Sequence, residues 1–425
     1  VTASLLHVPQ LHRTVLNNGL TVLVLENPVA DIVSARLFLR AGKAQETPEA
    51  AGLASFLMGL LTKGTQTQSS LEIAEAVESV GASLGTDAAA DYSVISLKTV
   101  SADFGPMLSL AASLLRYPSF PPEEIDLEQR LTLQQIRSMQ EQPFTVAFNQ
   151  LRQDMYGDHP YGLPGIGTEA SVAGFHQQQL FAFHRQYFRP DNLVITIVGR
   201  ITPTDAIEQV QQVLGDWSNP DTTLPGVLFP VVPAPGGCSV ATQDTNQAIV
   251  MVGYPAASVK HASYAALKLL NTSLGNGLSS RLFVELREKR GLAYDVSAFY
   301  PTRLGQSQFV AYMGTAPENA ATALEGLRFE VERLCHTSLL EDELQAAKNK
   351  LLGQYALGKQ TNAQIAQLLG WYEILGLGVE FDQQFQELTA AVTAEAARDI
   401  AQECFQTPYV SLLGPEAAVA PLATA

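Results

Sequence analysis

Residues Ser218 to Cys238, SNPDTTLPGVLFPVVPAPGGC, hold five prolines and three glycines. Proline removes backbone donors and glycine loses the most entropy on ordering, so neither a regular helix nor a central strand spans this stretch. It lies near the middle of 425 residues and reads as a linker, 218–238, between an N-terminal lobe, 1–217, and a C-terminal lobe, 239–425. Single cores stop growing at about 250–300 residues, so a chain of this length, 46% hydrophobic, is expected to build more than one.

The two halves carry their elements in the same order. In the first, LTVLVLE and IVSARLFLRAG read as hairpin-like strands, followed by a helix near Ala51 to Leu61 and then by two amphipathic helices separated by a strand. In the second, strand QAIVMVGYP precedes a helix from Ala262 to Leu274, a helix SSRLFVELREKRG closed by Gly291, and strand LAYDVSAFYP. The repeat is clearest between SFPPEEIDLEQRLTLQQI at Ser119 and SLLEDELQAAKNKLLGQY at Ser338, each an acidic start to a long amphipathic helix. RPDNLVITIVG and TPYVSLLGP match as late strands. The expected fold is α+β: two homologous lobes, each a mainly antiparallel sheet flanked by helices. A doubly wound nucleotide fold is excluded because GNGLSS, the nearest glycine-rich loop, follows a helix and not a strand.

Composition narrows the function. No apolar run reaches the roughly 20 residues of a bilayer crossing, and the net charge of −16 repels nucleic acid and anionic membranes while suiting basic peptides. Cys238, Cys335 and Cys404 are odd in number and far apart, which reads as reduced thiols rather than a disulfide framework or metal site. The amino terminus shows no basic-then-apolar signal pattern, so a cytoplasmic location is expected.

In order and spacing, NNGLTVLVLEN, SARLFLRAG, AGLASFLMGLLTKGT, DHPYGLPGIGTEA and HRQYFRPDNLVITIVG resemble the insulinase/pitrilysin family of zinc metallopeptidases, in the branch of the processing peptidases. The similarity runs from about Leu16 to Pro415. The resemblance implies an inverted zinc motif, His-x-x-Glu-His, on the helix that here reads AGLASFLMGLL. Two imidazoles at i and i+4 share a helix face and one zinc, and the Glu deprotonates the bound water. The three motif positions are Ser55, Met58 and Gly59 here, and the third ligand, a Glu in a downstream helix, is replaced by Gln135 in LTLQQIRS. With both imidazoles, the base and the third ligand gone, no metal or cofactor is expected in this chain, which should be inactive alone.

The resemblance also implies an Arg and a Tyr seven residues apart that reach the substrate, and SSRLFVELREKRGLAYDVSAF supplies Arg287 and Tyr294. A guanidinium offers several donors to a peptide carbonyl, and a phenol offers one to a tetrahedral oxyanion. Without the motif context, Arg at a helix end and Tyr in a strand are ordinary structure. Gly275, Gly277, Ser279 and Ser280 match a glycine-rich segment linked to substrate handling in zinc-free processing-peptidase subunits; a plain helix-entry turn is the alternative. GASLGTDAAADYSVI matches the edge strand on which active members lay substrate. His159 in DHPYG reads as structural, the eight-residue spacing of His176 and His184 as coincidence, and the acids of PPEEIDLEQ as a helix start.

These readings lead to a zinc-free subunit of a heterodimeric metallopeptidase. It would bind peptides, basic ones among them, and lend Arg287 and Tyr294 to a zinc-bearing homologous partner, with no nucleic acid or membrane involved. The alternative is a stand-alone peptide-binding or scaffolding protein with the peptidase fold.

Overall fold

A computed structural model describes residues 10–423 apart from 228, 230, 231 and 233–235. Part of the linker reading and most of the leader reading therefore fall outside the described residues.

Six strands form the first sheet: β1 (Leu11–Val15), β2 (Thr21–Glu26), β3 (Val33–Leu39), β4 (Ser83–Ala88), β5 (Ser93–Thr99) and β6 (Leu193–Gly199), in the order β1-β2-β6-β3-β5-β4. All pairs are antiparallel except β2 with β6. The LVITIVG run of β6 is buried at every residue, as a strand covered on both faces must be. The expected pairing of LTVLVLE with IVSARLFLRAG is corrected here, because β6 lies between β2 and β3. Gly19, at φ +88°, turns the chain so that β2 pairs back onto β1.

The second sheet is built from β7 (Gly237–Thr242), β8 (Ala248–Ala256), β9 (Ala293–Phe299), β10 (Ser307–Thr315) and β11 (Tyr409–Gly414), in the order β7-β11-β8-β10-β9. Its one parallel pair is β7 with β11. Strand for strand, β2 to β6 correspond to β7 to β11 in chain order, sheet order and direction, and β4 and β9 are the equivalent edges. The fold is thus α+β with two homologous mixed sheets, and the internal repeat is real.

Helices flank both sheets. Those that bear on the site are α1 (Leu53–Leu60), α2 (Pro122–Gln140), α3 (Pro143–Tyr156), α4 (Tyr264–Gly275), α5 (Glu341–Leu357) and α6 (Asn362–Ile374). The chain forms two compact units, Val1–Leu133 with Gly165–Val227 and Leu357–Val379, and Gln134–Pro164 with Leu228–Ala356 and Glu380–Ala425. These units differ from the continuous stretches 1–217 and 239–425: α3 belongs with the second sheet and α6 with the first.

Each exchanged helix lies across the two central strands of its sheet. α6 packs on β3 and β6, and Gly370 lets it approach so closely that a Cβ there would overlap the Phe38 ring and stand 2.7 Å from Thr196 Oγ1. Asn362 at its start exchanges hydrogen bonds with Asn27 (2.7 Å) and the Ile32 carbonyl (3.1 Å). At its end the Ile374 carbonyl accepts from Arg40 Nε at 3.0 Å. α3 packs on β8 and β11, where Ser411 Oγ donates to the Ala147 carbonyl at 2.8 Å. There the glycine is on the sheet: Gly253 faces Leu151 and Met155. Among the described residues no helix is long and apolar enough to cross a membrane.

Candidate functional site

Helix α1 begins at a tight turn. Gly52, at φ +89°, abuts the backbone of Ile166 and Gly167, leaving no room for a side chain. The first amides of the helix find their acceptor in Glu46, whose carboxylate takes the N–H of Gly52 (2.9 Å) and of Ala54 (2.8 Å). Burial pushes the Glu46 carboxyl up to about 7, against these two hydrogen bonds and the pull of Lys43.

The motif positions stand on this helix. Ser55 Oγ donates to the Gly165 carbonyl at 3.0 Å. The Met58 side chain is buried in the core, and its carbonyl accepts from Thr86 Oγ1 of β4 at 2.7 Å. Gly59 has no side chain, and the space where one would start is taken: a Cβ there would lie 3.0 Å from Glu128 Oε1 of α2. Burial raises the Glu128 carboxyl, Lys63 opposes the shift, and Glu124 adds to it. Gln135 follows Glu128 by seven residues, so both lie on one face of α2, and Gln135 is exposed.

A zinc ion does not fit these residues. A hydroxyl already donating to a carbonyl, a thioether in the core and a position without a side chain offer neither imidazole nor base. Among the described residues no group of three His, Cys, Asp or Glu side chains is arranged to hold a metal. Among the described residues β4 is an edge strand, paired only with β5, as expected.

The second cluster surrounds β9. α4 ends at Gly275, where a Cβ would strike the Ala298 backbone and the carbonyl accepts from Ser297 Oγ at 2.7 Å. The next turn is pinned by α5: Lys350 Nζ donates to the Asn276 carbonyl, and Asn276 Nδ2 to Gln354 Oε1 at 2.9 Å. Gly277 has φ +83°. Leu278 and Ser279 are exposed, whereas Ser280 is buried with its amide on the Gly277 carbonyl at 3.0 Å. Arg281 then donates through Nε and Nη2 to the two carboxylate oxygens of Glu343. The glycine-rich segment is thus a short exposed tip held at both ends.

Sequence periodicity predicts an α-helix from Ser279 to Gly291, but Phe283–Glu288 is π-helical, a form that recurs at functional sites. Arg287 extends from it into solvent with its guanidinium 5.0 Å over the Phe283 ring. Gly291, at φ +65°, ends the helix as expected: its amide meets the Arg287 carbonyl, and that of Leu292 meets Leu286. Opposite Gly314 and Thr315 the register slips, so Tyr294 is the extra residue of a β-bulge and is 64% exposed. The structure therefore sets Arg287 and Tyr294 on either side of one glycine turn, both open to solvent.

The remaining candidates are structural. His159 is buried, accepting the Tyr161 amide at Nδ1 (3.0 Å) and stacking on Phe229, and burial lowers it to about 4. His176 precedes a helix whose buried His184 contacts the Leu115 carbonyl at 2.7 Å. The three cysteines are free thiols, and burial pushes Cys335 and Cys404 up to about 11. Sequence reasoning missed Glu46 and the position of Glu128. The latter had a signal: Glu128 lies two helical turns before Gln135, and so shares its face.

Known proteins share this fold and sequence. Residues 21–169 match the family model described as Insulinase (Peptidase family M16), and residues 174–351 match that described as Peptidase M16 inactive domain. An uncharacterized zinc protease of Streptomyces coelicolor is 27% identical over 95% of this chain and 89% of its own. The uncharacterized zinc protease YmxG of Bacillus subtilis is 26% identical over 95% and 98%. Among solved structures, a peptidase M16 inactive domain from Pseudomonas fluorescens superposes with a TM-score of 0.89 at 25% identity, covering 95% of this chain and 98% of that one. A protease from Helicobacter pylori gives 0.90 at 21% identity, covering 96% and 100%, a likeness of fold.

Proposed function

The chain belongs to the insulinase family of peptidases, M16, and from that premise we propose that it is the zinc-free subunit of a two-chain metallopeptidase. It binds peptide, basic peptides among others, in the cytoplasm, and contributes Arg287 and Tyr294 to the active site of a zinc-bearing homologous partner. The observation that carries this reading is an asymmetry. On α1 every metal and base position is replaced, whereas Arg287 and Tyr294 keep their spacing and stand exposed around the Gly291 turn.

In that role the Arg287 guanidinium donates to a carbonyl of the substrate, and the Tyr294 phenol donates to the oxygen that gains charge as the carbonyl becomes tetrahedral. Resting 5.0 Å over an aromatic ring, the guanidinium keeps its N–H donors for the substrate. A second reading, a stand-alone peptide-binding protein, draws on the open edge of β4, which offers backbone groups to an added strand without chemistry.

Peptide hydrolysis separates the two. This chain alone, the zinc-bearing homologue alone and the mixture are assayed, with Arg287→Ala and Tyr294→Phe versions of this chain. The shared-site reading expects turnover only in the mixture, lowered about 100-fold or more by either substitution without loss of assembly. Activity from this chain alone, or indifference to both substitutions, overturns it.

A further inference from the structure

We propose that the cavity lined by Tyr117, Phe181, His184 and Trp217 binds a planar aromatic carboxylate whose ring carries an N–H or O–H donor. The cavity lies wholly within the first compact unit and owes nothing to the peptide site.

One helix supplies much of its lining. In Gln177–Tyr187, Phe181, His184 and Arg185 recur at i, i+3 and i+4, and Phe188 follows at i+7, so the four share a side. Tyr117 and Trp217 come from elsewhere in the chain, and Arg116 ties them together. Its Nη1 donates to the Val213 carbonyl at 2.9 Å, and Nη1 and Nη2 hold the Asp216 carboxylate at 2.7 and 3.2 Å. Its guanidinium then lies 4.9 Å from the centre of the Tyr117 ring and 5.9 Å from that of Trp217. The cavity measures about 430 Å³, within the range of small-molecule sites.

Three kinds of group on this lining define the ligand. The aromatic rings offer faces on which a flat ring stacks. His184 offers an acceptor. Its Nε2 serves the fold, donating to the Leu115 carbonyl at 2.7 Å. Burial lowers the imidazole to about 4, against that bond and with the help of the Arg185 charge, so at neutral pH the ring is uncharged and Nδ1 holds a lone pair. Among the described residues Nδ1 has no partner, and it is not sealed from solvent although the residue is buried, so the cavity is the space it meets. A donor on the ligand satisfies it. Arg185 offers charge: its Nε donates to the Phe181 carbonyl at 3.2 Å, and its two terminal nitrogens have no partner among the described residues. Such a fork takes a carboxylate through parallel hydrogen bonds. Although the chain holds 42 acidic residues, none of the described residues lining this cavity is a carboxylate that would repel the anion.

The test is calorimetric titration of the full chain with indole-3-acetate as the probe, and saturable binding below about 1 mM is expected. Two analogues, 3-methylindole without the carboxylate and 1-naphthaleneacetate without the ring N–H, should each bind about tenfold more weakly. Arg185→Gln, at an exposed position, should erase the preference over 3-methylindole and keep that over 1-naphthaleneacetate, while Tyr117→Ala weakens all three. The peptide Gly-Ser-Gly-Trp carries the same ring and carboxylate at a chain terminus; tighter binding than indole-3-acetate identifies a polypeptide end as the ligand, and weaker binding a free acid. Absence of saturable binding by both, equal affinity for either analogue, or a preference over 3-methylindole that survives Arg185→Gln overturns the inference.

Discussion

Glu46 is where a single residue decides the behaviour of α1. Its folded pKa of about 7 lies above the ordinary 4.5, so the folded protein holds a proton that the unfolded chain has released. The stability tied to that proton is present in full below about pH 4.5 and is lost as pH rises through 7. The difference between wild type and Glu46→Gln, which does not titrate, should therefore fall by about 3 kcal/mol between pH 4.5 and 8. Urea unfolding of both proteins across that range measures it, and a pH-independent difference would refute the assignment. Taking the difference removes His159 and His184, which titrate with the opposite sign in both proteins. The four motif positions, Ser55, Met58, Gly59 and Gln135, were legible in the sequence because the chemistry of a zinc ligand depends on residue type. The place of Glu128 on the Gln135 face was readable from its seven-residue spacing, whereas Glu46 was not, since what distinguishes it is burial against the amides of α1 and no local pattern records that.

At the level of elements, the exchanged helices make the sharpest case. Gly370→Ala should gain about 1 kcal/mol of helix propensity, yet its Cβ meets the buried Phe38 ring and Thr196, which have nowhere to move. Overlap wins, and a net loss of about 1–3 kcal/mol is expected. Gly253→Ala in β8 meets only the ends of Leu151 and Met155, at 2.9–3.2 Å, and these can turn aside. It should cost less than Gly370→Ala, and urea midpoints at constant slope compare the two. Strands were readable as apolar runs between turns, and the Gly291 stop was readable from its residue type. The order of strands was not: β6 enters between β2 and β3 from more than 150 residues away, and no nearby residue announces it. The π-helical turn was equally hidden, because its wider winding follows from packing and not from the spacing of apolar residues.

For the whole molecule, the linker suggests a simple cut, and the exchange of helices says otherwise. Residues 1–217 lack α6 and so leave β3 and β6 uncovered, while 239–425 lack α3 over β8 and β11. Expressed separately, each fragment should fail to unfold cooperatively and should bind apolar dyes; expressed together, they should recover a cooperative transition. Two independently cooperative fragments would contradict the exchange. The proline stretch falls between β6 and β7 in the chain, but an amphipathic helix does not state which apolar face it will cover. On the ribosome, the same connectivity sets a schedule. Large proteins commonly finish their amino-terminal domain while the rest is still being made, but here the first sheet waits for Leu357–Val379 and the second for Tyr409–Gly414. The first sheet is complete in the chain at Gly199, so it stays without α6 while more than 150 further residues are made, and over that interval it depends on whatever shields apolar surface at the tunnel exit.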